Sequence, residues 1–435
     1  MDGGLTERVD PARSFHAELR VPGDKSIAHR ALMLAAIAQG ESRIDDVPDG
    51  ADVQATARCL AELGVTIHPH PALPLRGSEI HVEGRGMQAW KSPTQDLQCA
   101  NSGTTMRLLT GLLAGSALRA TLVGDASLQR RPMDRVVRPL RRMGARIIAI
   151  DGQAPLHIEG TTLTGVEHQL ARPSAQVKSA LLLAGLHASG ETTVIEPSPT
   201  RDHTERLLRV MGAALRVDGN RITVRRAQRL APLVFSVPGD FSSAAFLLGA
   251  AALRPGWSAT VHGVGLNPSR TRFLHILRAM GANVAVAPYP DQLFEPAGMV
   301  TVEGARLRAV DLDGGDVAQV IDEVPLLLAM ATQAEGATRV TGAGELRVKE
   351  SDRLAAMADG LRRLGAQVEE EADGMTVAGP TPLRAATVDA HGDHRIAMAL
   401  AVAALTAAGP VQVSGAASVA VSYPGFFEAL RAATG

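Results

Sequence analysis

Lysine is nearly missing from this chain of 435 residues: of its 44 basic side chains, only Lys25, Lys91, Lys178 and Lys349 carry an ammonium group. Arginine meets almost every general need for positive charge, so a retained lysine points to work for a compact charge with movable donors that can handle a proton. Two cysteines, Cys59 and Cys99, exclude a disulfide framework, and the absence of a CxxC or Cys/His cluster gives no zinc signature. Aromatic residues make up 3% of the chain, too few to build stacking platforms for single-stranded nucleic acid. A formal net charge of −1 leaves no overall field to draw the protein to nucleic acid or an anionic membrane, so anionic ligands must be caught locally. The longest apolar run, IAMALAVAALTAA at 396–408, is too short to span a bilayer. The opening MDGGLTERVDPAR has no signal-peptide core, and the expectation is a cytoplasmic protein without a membrane partner.

What the chain does have is repetition. VPGDKSIAHRALMLAAIA from Val21 and VPGDFSSAAFLLGAAAL from Val237 both lead from a Pro-Gly turn, through capping Asp and Ser, into an Ala/Leu-rich helix. The halves share architecture but not chemistry, since Lys25 in one is Phe241 in the other. A finer repeat runs beneath: LAELGVTI, LRRMGARI, LRVMGAALRV, LRAMGANVAV and LRRLGAQVEE each read as a helix closed by a C′ glycine before a strand. Their glycines (Gly64, Gly144, Gly212, Gly281 and Gly365) recur about every 70 to 85 residues, and EALRAATG, ending at Gly435, reads as a sixth copy. Six units, three per half, follow.

No strand follows the sixth helix, whereas FHAELRV at 15–21 precedes the first full unit. The N-terminal strand is therefore expected to complete the C-terminal domain. That gives one domain over 21–237 and a second from 1–20 plus 238–435, joined by a double crossover near 21–24 and 237–240. Such a crossover is a hinge, and a hinge cleft is a usual place for a small-molecule site.

The polar motifs stand at helix starts. Ser26 and Asp24 can cap the helix carrying Arg30, so that Lys25, Ser26 and the first backbone N–H groups face one anion. In NSGTTMRLL at 101–109, Gly103 lets a ligand approach the backbone closely. SLQRRPMDRV fixes Arg131 before Pro132; SAQVKSALLLAG presents Ser174, Gln176 and Lys178; TRDHTERLL presents Arg201. Asp322 and Glu323 precede the apolar PLLLAMATQA, where Glu323 is read as merely complementing the helix dipole. Lys349, Glu350 and Arg353 can share a pocket within ELRVKESDRL, and Asp393, His394 and Arg395 open an almost wholly apolar helix in DHRIAMALAVAAL.

Together and in this order, VPGDKSIAHR, NSGTTMRLL, RRPMDRV, SAQVKSALLLAG, TRDHTER, ELRVKESDRL and DHRIAMA closely resemble the 5-enolpyruvylshikimate-3-phosphate synthase family, from about Phe15 to the SYPGFF segment at 422–427. The resemblance implies a two-domain inside-out α/β barrel, each domain of three βαβαββ units, with sheets outside and helices within. It implies transfer of the enolpyruvyl group of phosphoenolpyruvate to the 5-hydroxyl of shikimate 3-phosphate with release of phosphate. Carried over residue by residue, Lys25, Ser26, Arg30, Ser174, Ala175, Gln176, Arg201, Asp322 and Lys349 would hold shikimate 3-phosphate. Lys25, Gly103, Arg131, Gln176, Arg353 and Arg395 would hold phosphoenolpyruvate. Lys25, Asp322 and Glu350 are the acid/base candidates; no metal, organic cofactor or macromolecular partner is implied, and the expected state is a monomer. Ala100 stands where a Gly usually precedes the Asn. Thr200 before Arg201, where Ser is usual, and Val421, where some members carry a lysine, resemble the class II subgroup.

Two rival readings can be weighed. A UDP-N-acetylglucosamine 1-carboxyvinyltransferase would place a reactive cysteine before the Arg-Pro pair, but DASLQRRP has none. A non-catalytic anion binder gains nothing from Asp322 and Glu350 beside arginines.

Overall fold

The computed structural model describes residues 5–69, 79–290 and 294–435, so the first four residues of the expected 1–20 segment lie outside it. By their internal contacts the residues form two units: Gly23–Val237, and the segment up to Pro22 together with Pro238–Gly435.

Gly23–Val237 holds three four-stranded sheets, each with helices interleaved between its strands in the chain. The middle repeat shows the pattern in unbroken sequence. Strand Leu97–Gln98 leads into helix Gly103–Ala114, strand Arg119–Val123, a short turn of helix, helix Asp134–Arg142 and the hairpin Arg146–Ile150 and Gln153–Glu159. Leu97–Gln98 pairs parallel with Arg119–Val123, and the two hairpin strands follow antiparallel. The third repeat copies this order with strands Glu167–Gln169, Glu191–Ile195, Leu215–Asp218 and Arg221–Arg225. The first repeat borrows its opening strand from the far end of the unit, where Val234–Ser236 pairs parallel with Gln39–Asp45.

The other unit repeats the βαβαββ plan with two strands drawn from the N-terminal segment. His16–Arg20 pairs parallel with Ser258–Gly265, opening the fourth repeat. Glu7–Val9, a segment without a strand signal in the sequence, pairs antiparallel with Val411–Ser414 and takes the place left vacant after the sixth helix. The fold class is thus as expected, a two-unit α/β architecture of six sheet-and-helix repeats.

Sequence explains why each repeat has two kinds of helix. The first kind is apolar all round and must be buried: Phe241–Ala252 is buried along its whole length, as are Val324–Ala331 and His394–Ala404. Small residues let these helices approach closely. A Cβ on Gly111 would stand 2.2 Å from the carbonyl oxygen of Ala180, so helices Gly103–Ala114 and Ala175–Gly185 touch backbone to backbone. The second kind is amphipathic and ends at the repeated glycine. Gly64, Gly144, Gly212, Gly281 and Gly365 all have φ between 81° and 104°, the left-handed conformation that turns a helix end toward a strand. The sixth copy departs from this. Helix Phe426–Ala433 closes on an extended Thr434 that bridges Phe15, and because the chain runs straight into that bridge no glycine turn is needed at Gly435.

Candidate active site

In Gly23–Val237 the residues expected to bind anions cluster near the starts of helices. Asp24 caps helix Lys25–Ile37 by accepting from the Ile27 amide at 2.9 Å, which leaves Lys25 and Ser26 in the first turn. The Lys25 ammonium donates to Asp52 Oδ2 at 3.0 Å. Arg30 lies deeper; its guanidinium donates to Ser26 O (2.8 Å), Thr204 Oγ1 (2.8 Å) and Ser179 Oγ (3.0 Å), and so ties three segments together. Arg201 reaches Ser26 Oγ at 3.5 Å, which brings TRDHTER beside VPGDKS.

A second group forms around helix Gly103–Ala114. Ser102 caps it by accepting from the Thr105 amide at 3.1 Å, and a chain of hydroxyl contacts, Ser102 to Thr105 to Thr56 to His29, links this cap to helix Lys25–Ile37. Burial holds the His29 pKa well below its ordinary value, with Lys25 and Arg30 adding to the effect. Gln176, in the first turn of helix Ala175–Gly185 after the cap Ser174, donates to Thr104 Oγ1 at 2.9 Å and accepts from Arg107 Nη1 at 2.6 Å. Arg131 donates to the Asn101 side-chain oxygen and to Ser127 Oγ. Gly103, Arg107, Arg131 and Gln176 therefore stand together.

In the other unit the charged motifs converge on Arg353, which is 2% exposed. Its guanidinium donates to Asp393 Oδ2 at 2.8 Å, Glu350 Oε2 at 2.7 Å and Asp322 Oδ1 at 3.4 Å. Burial opposes its charge, but Asp393, Glu350 and Asp322 together hold its pKa above the ordinary arginine value. Asp393 also caps the apolar helix His394–Ala404 by accepting from the Arg395 amide at 2.9 Å. Arg395 reaches Asp322 Oδ1 at 3.3 Å and Asp322 O at 3.3 Å. Lys349 is half-buried, 3.7 Å from Glu345 Oε1, and burial lowers its pKa against the pull of Glu345 and Asp322. Of the ELRVKESDRL charges, Arg347 faces away into pairs with Asp352 and Glu370.

Some participants were not legible beforehand. Asp52 holds Lys25, and Arg107 orients Gln176; only the four-residue spacing of Arg107 from Gly103 hints at a shared helix face. Glu323, at the start of helix Val324–Ala331, does more than complement the helix dipole. It is 1% exposed, makes no side-chain cap, and accepts from Ser242 Oγ, to which Arg270 also donates at 2.7 Å; a carboxylate this deep requires donors. Phe241, the counterpart of Lys25, is 1% exposed and packs edge-on against Phe273 at 6.4 Å, so this helix start presents an apolar ring in place of an ammonium. Among the described residues no group of three or more His, Cys, Asp or Glu is placed to hold a metal ion.

Solved structures place this architecture. An EPSP synthase structure from Acinetobacter baumannii matches with a TM-score of 0.86 at 39% identity, covering 99% of this chain and 98% of that one. The enolpyruvyl transferase NikO from Streptomyces tendae matches with a TM-score of 0.79 at 20% identity, a likeness of fold alone. The fold is that of the enolpyruvyl transferases.

The profile of the EPSP synthase (3-phosphoshikimate 1-carboxyvinyltransferase) family matches residues 9–430, and the chain belongs to that family. Relatives named 3-phosphoshikimate 1-carboxyvinyltransferase include those of Acidithiobacillus ferrooxidans, 48% identical over 96% of this chain and 95% of that one, and Halorhodospira halophila, 49% identical over 98% and 96%. The chain is thus an enzyme of the transferase class, and the UDP-N-acetylglucosamine alternative is not favoured.

Proposed function

We propose that this chain transfers the enolpyruvyl group of phosphoenolpyruvate to the 5-hydroxyl of shikimate 3-phosphate, releasing phosphate. The observation that carries this reading is a chain of contacts through two carboxylates and two arginines: Glu350 pairs with Arg353, and Asp322 lies within ion-pair distance of both Arg353 and Arg395. Paired arginines suit the carboxylate and phosphate of phosphoenolpyruvate. Carboxylates in contact with them supply what an anion binder does not need, a place to put a proton.

In this reading Ser26, Arg30, Ser174, Ala175, Gln176, Arg201, Asp322 and Lys349 bind shikimate 3-phosphate. Gly103, Arg131, Gln176, Arg353 and Arg395 bind phosphoenolpyruvate, and Lys25 serves both. Addition requires a base to take the proton of the 5-hydroxyl and an acid to protonate the methylene carbon; elimination of phosphate reverses both roles. Asp322, Glu350 and Lys25 divide these transfers. The crossings near 21–24 and 237–240 act as the hinge. A cytoplasmic monomer without nucleic-acid or membrane partners completes the proposal. The lack of nucleic-acid and membrane partners is supported by the near-zero net charge and by the absence, among the described residues, of a helix long and apolar enough to cross a membrane.

The test is phosphate release. It is expected only when shikimate 3-phosphate and phosphoenolpyruvate are both present, and it should survive EDTA, because every proposed contact is a side chain or a helix N-terminus. Turnover with UDP-N-acetylglucosamine in place of shikimate 3-phosphate would sink the assignment.

A further inference from the structure

Lys178 belongs to none of the roles above, yet it is among the most buried charged side chains in the molecule, 1% exposed. Its ammonium donates to Glu196 Oε2 at 2.8 Å and lies 2.7 Å from Glu205 Oε1. It also reaches the carbonyl oxygen of Thr200 at 3.4 Å. Glu196 is tied in turn: its other carboxylate oxygen accepts from the Thr200 hydroxyl, and its backbone carbonyl accepts from Asn220 Nδ2 at 2.7 Å.

Two carboxylates around one ammonium make a poor device for stability. Removing three charges from water is costly, and well-packed apolar side chains of similar volume usually stabilise as well or better. Burial raises the Glu205 pKa even against the adjacent ammonium, a sign that the second carboxylate is held there at some expense. What the cluster does accomplish is geometric. Lys178 stands one turn into helix Ala175–Gly185, and its amide donates to Ser174 O at 3.0 Å, the first-turn hydrogen bond of that helix. Glu196 and Thr200 flank the loop leading to Arg201, and Glu205 stands on the helix His203–Val210 that follows. One ammonium therefore fixes the turn Ser174–Gln176 against the loop carrying Arg201.

We propose that Lys178 is a positioning residue for shikimate 3-phosphate, setting the distance between the Ser174–Gln176 turn and Arg201 without touching the ligand. This rests on the assignment of those residues to shikimate 3-phosphate. A buried, hydrogen-bonded ion pair is a suitable ruler because its hydrogen bonds weaken steeply when their lengths and angles shift, whereas an apolar contact is non-directional and tolerates sliding.

The experiment measures shikimate 3-phosphate affinity by calorimetry without phosphoenolpyruvate, and both Michaelis constants, in the full-length protein. Lys178→Met is expected to weaken shikimate 3-phosphate by about tenfold or more and, because Gln176 serves both ligands, to raise the phosphoenolpyruvate constant at saturating shikimate 3-phosphate by a smaller factor. A purely structural lysine would lower the melting temperature and the active fraction with both constants unmoved, and that result overturns the proposal. Should Lys178→Met fail to fold, Glu196→Gln keeps the shape of the cluster and is expected to weaken shikimate 3-phosphate about threefold or more; unchanged affinity in that folded variant also overturns it. Arg201→Ala separates the two levels of inference. If it weakens shikimate 3-phosphate while the cluster variants do not, positioning by Lys178 is wrong and the site assignment stands; if it has no effect, both fall.

Discussion

Arg107 Nη1 donates to Gln176 Oε1 at 2.6 Å, and the same nitrogen lies 2.8 Å from the point a Cβ on Gly103 would occupy. Gly103 is thus bare because a guanidinium passes over it on the way to Gln176. Arg131 Nη1, at 3.4 Å from the same point, closes the other side.

Gly103→Ala is accordingly expected to displace Arg107 and, through it, Gln176. Overpacking of this kind costs about 1 to 3 kcal/mol, and the end of a flexible side chain gives way before the backbone does. The loss should appear as a raised Michaelis constant for phosphoenolpyruvate, by about tenfold. A steady-state titration of phosphoenolpyruvate at saturating shikimate 3-phosphate checks this; an unchanged constant would show that Arg107 moves without consequence.

Glu350→Gln keeps an oxygen that can accept from Arg353 Nη2 but removes a proton carrier. Turnover should fall by about 10² or more with shikimate 3-phosphate affinity largely kept. Calorimetry and a phosphate-release assay on the same preparation separate the two effects. A near-normal rate would remove Glu350 from the acid/base groups.

His168 is 1% exposed, neither ring nitrogen has a hydrogen-bond partner, and burial, aided by the charge of Arg142, lowers its pKa to about 4. A folded-state pKa depressed below the unfolded value of about 6.5 contributes stability that is complete above pH 6.5 and is lost as pH falls toward 4. His168→Leu removes that dependence. Its melting temperature should fall less between pH 7 and pH 5 than that of the parent, and parallel curves would contradict the assignment.

Gly111→Ala tests the close approach of two helices. The added methyl meets the Ala180 carbonyl at 2.2 Å, a backbone atom that cannot rotate away. Helices Gly103–Ala114 and Ala175–Gly185 must part, at a cost of about 1 to 3 kcal/mol in a chemical denaturation curve. An unmoved midpoint would mean that the pair is looser than the contact suggests.

Repetition in the sequence made the fold legible, because a C′ glycine leaves a local mark: Gly64, Gly144, Gly212, Gly281 and Gly365 are spelled out in five similar motifs and all adopt positive φ. Glu7–Val9 left no such mark, since a three-residue strand whose partner is Val411–Val413 has too short a pattern to stand out. The site divides in the same way. Lys25, Ser26 and Asp24 are adjacent in sequence, so their shared helix start could be read directly. The partners of Lys178 and Glu323 could not, because Glu196, Glu205 and Ser242 reach them only through the packing of separate elements. Spacing placed Lys178 with Ser174 and Gln176 at a helix start; the structure turns its side chain inward.

The pairing of Glu7–Val9 with Val411–Val413, and the bridge from Phe15 to Thr434, also set the order in which this chain can be assembled. During synthesis, Gly23–Val237 emerges with every strand of its three sheets in hand and can fold while the rest is still being made. The strand His16–Arg20 before it waits for Ser258–Gly265 to appear, and Glu7–Val9 must wait for Val411–Val413. The unit holding Asp322 and Glu350 is therefore completed last, by closing a loop of about 400 residues, the kind of distant pairing that makes folding slow.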